Sequence, residues 1–193
     1  MGQYYKIVNV TKGEYLCPWD FGHGAKLMEF GSGGSMLSAM ALLLADGNGR
    51  GGGDFDHQDY DPATEEIIGR WSGDKIVVAG DYADDGKFLT DEQIKQFKKD
   101  EPDLSVTLYA YADTYFKNIS VQVIEKMMED EWLRETIIGE RAWRANSMPD
   151  DDIMKGIIKR HPEWEKEWEA AVDKCRKERQ RRAEEVQARQ NAG

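Results

Sequence analysis

Apolar and polar positions predict a β-hairpin at the start of the chain. Residues 3–10 are rich in Tyr, Ile and Val, Thr11-Lys12-Gly13-Glu14 supplies a turn, and residues 15–19 return. Asp20-Phe21-Gly22-His23-Gly24 breaks the pattern before a short apolar run at 25–30. After Gly31-Ser32-Gly33-Gly34-Ser35, residues 36–45 are apolar nearly all round, and their Ala, Leu and Met content predicts a buried helix capped by Ser35. Residues 46–62, with Gly47, Gly49, Gly51, Gly52 and Gly53, read as a loop. Residues 66–71 and 75–80 around Ser72-Gly73-Asp74 predict a second hairpin. Thr90-Asp91-Glu92-Gln93 has capping-box spacing and opens a helix through Lys99, whereas 104–111 reads as a strand by its Val, Thr and Tyr content.

Beyond Ser120 the period changes. Val121, Ile124, Met128 and Trp132 fall at helical spacing, predicting a helix to about Gly139. Pro149 with Asp150, Asp151 and Asp152 marks another helix start, with Ile153, Met154, Ile157 and Ile158 as its buried stripe. Pro162 opens a last helix reaching toward Gln190, whose apolar face (Trp164, Trp168, Ala171, Val172, Cys175) fades into charges beyond Cys175, so its distal part projects or frays. The expected fold class is α+β: a small mixed or antiparallel sheet with helices over 1–119, including the glycine-rich loop at 46–62, then an all-helical third over 120–193.

Composition narrows the function classes. A mean hydropathy of −0.72 and no apolar run approaching ~20 residues argue against a transmembrane helix. The N-terminal residues lack a basic region followed by an apolar stretch, and Lys6 stands where a myristoylation signal wants Ser or Thr. Cys17 and Cys175 are far apart, which argues against a disulfide framework and for a reducing, cytoplasmic setting. Residues 1–173 hold 19 Lys+Arg against 34 Asp+Glu, a net of −15, while 174–193 hold 7 against 3, a net of +4. The acidic body disfavours nucleic acid, because affinity for phosphate backbones comes from Lys and Arg. The basic tail reads most plainly as a solvated helix face.

The chemistry on offer is sparse. Backbone amides at Gly33, Gly34 and Ser35, opening a helix, could hold an anion, although the Lys of a phosphate-binding loop is missing and a tight turn explains the glycines equally. Asp46-Gly47-Asn48-Gly49-Arg50-Gly51 starts like a calcium loop, but Arg50 occupies a ligand position and His57 replaces the closing Glu. Asp81, Asp84 and Asp85 follow a short strand, and with Asp56 and His57 from the glycine loop they would form a carboxylate–imidazole set suited to a divalent metal. A polar turn is the plainer account of the same acids. His23 lies between glycines without a convincing nucleophile nearby. Trp164 and Trp168 share a helix face and suit either core packing or a partner surface.

Met1-Gly2-Gln3-Tyr4-Tyr5-Lys6, Lys26-Leu27-Met28-Glu29 and Gly80-Asp81-Tyr82-Ala83-Asp84 together resemble a group of uncharacterised bacterial and phage proteins over roughly the first 120 residues. The resemblance implies a bacterial or phage cytoplasmic protein and no particular activity. The expectation is therefore an acidic protein-interaction or regulatory accessory protein, in a phage setting a host-directed one. Its partner is another protein, basic where it meets the acidic body, or a second copy. The alternative is a small metal-dependent hydrolase acting on a phosphorylated small molecule.

Overall fold

The computed structural model describes residues 2–31, 33–46, 67–83, 86–145 and 151–191. Strands β1 (Tyr5–Asn9) and β2 (Glu14–Leu16) form the expected hairpin, paired antiparallel with Ile7 opposite Leu16. On the other side of β1 lies β3 (Ile76–Gly80), also antiparallel, with Ile7 opposite Val78. The two-residue β4 (Lys117–Asn118) runs parallel to β2, so the sheet is mixed and its strand order is β3-β1-β2-β4.

Helices cover both faces. A 3₁₀ turn (Pro18–Phe21) and the short α1 (Leu27–Phe30) lead to α2 (Gly34–Leu44). Then follow α3 (Asp91–Asp100) and α4 (Leu108–Tyr115), with α5 (Ser120–Met127) after β4. The chain continues through α6 (Glu131–Ala145), α7 (Asp152–Arg160) and, after a 3₁₀ turn at Pro162–Trp164, the 27-residue α8 (Glu165–Asn191). One face of the sheet places Val8, Tyr15 and Ala79 against Leu108 and Ala112 of α4. On the other, Ile7 and Leu16 join the main core, built from Met36 and Leu43 of α2, Ile124 and Met127 of α5, Ile137 of α6, Met154 and Ile157 of α7, and Trp164. That core is continuous from the sheet into the helical third.

Four local expectations are corrected. Residues 67–71 form turns, and β3 has no hairpin partner there. Their backbone bonds go elsewhere: Gly69 and Trp71 amides donate to the carbonyls of Leu42 and Leu43 (2.8 and 2.7 Å), closing the open end of α2. Buried Glu14 holds the same segment, accepting Arg70 Nε at 3.0 Å and Trp71 Nε1 at 2.9 Å. No strand forms at 104–111: residues 104–107 are irregular and 108–111 open α4, because Thr107 accepts the Ala110 amide (3.1 Å) as an N-cap. The helix expected from Val121 to Gly139 is two, interrupted where Asp130 accepts the Leu133 amide at 2.8 Å and starts α6. Ser35 is not the cap of α2; Gly33 holds that position, with no side-chain cap of its own. All of the expected glycine-rich loop at 46–62 except Asp46, and the helix start at Pro149 and Asp150, lie outside the described residues.

Candidate functional site

The best-built polar cluster joins three elements that are far apart in sequence. Glu140, on α6, points its carboxylate at the N-terminus of α2, where it accepts the amides of Gly34 (2.8 Å) and Ser35 (3.3 Å) and the Ser35 hydroxyl. His23 Nε2 lies 3.0 Å from Glu140 Oε2 and 3.1 Å from Ser35 Oγ. Gly33 is needed here, because a Cβ at that position would overlap the His23 ring. The amides at Gly34 and Ser35, expected to seat a phosphate, thus face a carboxylate of the chain itself. Burial pushes the Glu140 carboxyl up, but hydrogen bonds from His23 and Ser35, the His23 charge and the Gly34 amide outweigh it and hold the group below its ordinary value.

Ser, His and Glu together invite an acyl-transfer reading, which the geometry opposes. A nucleophilic hydroxyl needs a ring nitrogen free to take its proton, with the acid on the other nitrogen. Here acid and hydroxyl share one nitrogen, the hydroxyl donates directly to the acid, and Ser35 is fully buried. The trio works as a strut. Its neighbours on α6 extend the grip: Arg141 donates to the Asp20 carbonyl and pairs with Asp151, and Arg144 donates to the Trp19 carbonyl at 2.8 Å.

A second cluster lies across the sheet. Lys6, only 3% exposed, pairs with Asp113, and its ammonium stands 3.9 Å from the Tyr109 ring centre and 5.0 Å from that of Tyr15. The Tyr15 hydroxyl donates to Asp113 at 3.2 Å. Burial and the Asp113 charge raise both phenols, Tyr109 to about 12, so neither serves as a base near neutrality. Burial, then Asp20, also raises the Cys17 thiol, which stays protonated and weakly nucleophilic.

The outer surface of the helical third differs. α8 runs beside α6 in the same direction: Arg134 Nε donates to Glu167 at 3.0 Å near its start, and Arg179 donates to the Trp143 carbonyl at 2.5 Å further on. The Trp143 ring is flanked by Arg179 and Arg182 at 4.9 and 5.2 Å. Trp132, near the start of α6, is 68% exposed. From 181 to 191 every residue of α8 is exposed.

Of the residues singled out in the sequence, Asp81 accepts the Tyr4 amide (2.9 Å) while its own amide donates to the Tyr4 carbonyl (3.0 Å), extending the β1–β3 ladder. Asp56, His57, Asp84 and Asp85 lie outside the described residues. Among the described residues no group of three His, Cys, Asp or Glu could hold a metal ion, and no helix is long and apolar enough to cross a membrane. Trp164 sits in the core, 7% exposed and stacked on His161 at 4.1 Å, and Trp168 packs against the same core. The exposed tryptophans of this third are Trp143 and Trp132, the latter expected in the apolar stripe with Val121, Ile124 and Met128. The roles of Glu140 and Lys6 were also missed; Glu140 finds its partners, and Lys6 its counter-charge Asp113, more than a hundred residues away. The chain matches no known protein family, no curated protein and no solved structure.

Proposed function

We propose that this chain is an interaction protein that binds another protein through the outer surface of its helical third. The observation that carries the reading is the course of α8, which stays helical through Asn191 although every residue from 181 onward is exposed. Helix in proteins is mostly sustained by packing an apolar face, and here the last turns rest on local ion pairs such as Arg181 with Glu178 and Glu185. A segment already helical loses less freedom on docking than a disordered tail would. Trp132 and Trp143 add exposed aromatic area on the neighbouring helix, the residue type that dominates binding hot spots.

Charge would set the orientation. The −15 carried by residues 1–173 steers a basic surface toward the body, and the +4 of residues 174–193 favours acidic groups beside α8. The test is capture from a bacterial lysate with the full chain, a chain ending at Gln180, and Trp132→Ala, each at low and high salt. The reading expects a protein retained by the full chain, lost with the shortened one, weakened by Trp132→Ala and reduced by salt. Equal retention by the full and shortened chains would contradict it.

A further inference from the structure

Among the described residues only β1 pairs with β3. At the two ends of that ladder Val10 donates to the Lys75 carbonyl and Asp81 to the Tyr4 carbonyl. Antiparallel bonding alternates, so Lys75, Val77, Ala79 and Asp81 bond toward β1 while the amides and carbonyls of Ile76, Val78 and Gly80 point outward. The strand itself is Ile-Val-Val-Ala-Gly, with no charge or proline to blunt it, and Val78 at its centre is 42% exposed.

We infer that this edge pairs with the β3 edge of a second copy, antiparallel about a two-fold axis at Val78. That register is the one in which the outward-pointing residues meet. Val78 exchanges both its bonds with Val78 of the second copy, and Ile76 faces Gly80. It also places Lys75 opposite Asp81 of the other chain twice over, at non-hydrogen-bonded positions where cross-strand side chains are closest. A copy of the same strand therefore supplies both the backbone pattern and the charge complement, as a two-fold interface requires. The Gly80 carbonyl already accepts the Ala83 amide at 3.2 Å and Gly80 is buried, so the central Val78 exchange is the main contact and the dimer is a weak one.

The test is sedimentation equilibrium from ~10 μM to ~1 mM, the weak end of protein association, alongside amide exchange at Ile76 and Val78. The expected result is association that rises with concentration and protects the Val78 amide. Val78→Lys, which sets two cations against each other on the axis, abolishes it at an unchanged melting temperature. Lys75→Glu, at an exposed position, weakens it independently should the first variant fold poorly. A chain ending at Gln180 keeps this association, which separates it from binding through α8. A single monomeric species throughout, an association that both variants leave intact, or one lost with the α8 truncation would overturn the inference.

Discussion

Glu140 shows how one side chain fastens distant segments. It replaces the missing cap of α2, orients His23 and starts the series, with Arg141 and Arg144, that holds residues 18–24 against α6. Glu140→Gln keeps the shape but loses the charge that four donors share, and it is expected to cost about 1–3 kcal/mol in urea unfolding near neutral pH. The pH dependence has a definite sign. A carboxyl held below its ordinary 4.5 in the folded state contributes stability that is complete above that value and lost as pH falls through the depressed folded one. The deficit of Glu140→Gln relative to the parent should therefore shrink over the acid window that opens below pH 4.5. A deficit unchanged over that window would mean that shape, and not charge, holds the junction. None of this was legible beforehand: Gly33-Gly34-Ser35 announced an anion seat, but its occupant lies 106 residues from Gly34 along the chain.

At the scale of elements, the readable signals were local ones. Thr90 and Gln93 form the reciprocal cap that their spacing predicts, at 2.8 and 3.3 Å, and α3 starts where expected. The hairpin of β1 and β2 and the buried stripe of α7 were likewise plain from pattern. α4 was misread because Val106, Thr107, Tyr109 and Tyr111 have strand propensity, which is weak beside a buried cap and a packed face. Leu108, Tyr111 and Ala112 are buried one helical turn apart, while the Phe97 ring of α3 packs tilted against Tyr111, with centroids 6.0 Å apart. Thr107→Ala removes the cap and should lower stability by about 0.5–2 kcal/mol, with the loss of helix visible by circular dichroism in partly denaturing urea. If the variant unfolds at the parent's midpoint, packing alone sets the start of α4. The break between α5 and α6 escaped notice for a related reason: apolar spacing continues across it, and only Asp130 marks the new start.

For the whole molecule, the mixed sheet and the helical C-terminal region share a continuous core, so the helical third owes its footing to the sheet as well as to itself. What the core does not reach is the end of α8. Its contacts with α6 extend to Trp143 with Arg179 and Arg182, and from there the helix runs on in solvent. The sequence showed the fading apolar face but not which tryptophans would end up outside. Trp164 ends the 3₁₀ turn before α8 while Trp168 lies on α8 itself, and both pack into the core, with Arg134 over the Trp164 ring.

The most direct measurement of the central claim is hydrogen exchange along α8, in the isolated protein and with a captured partner bound. In the isolated chain, amides of 165–180 should be protected by packing on α6, and those of 181–191 should exchange far faster. With the partner bound, 181–191 should gain protection. A bound partner that leaves exchange in 181–191 unchanged would contradict the claim that this end of the helix is the binding surface.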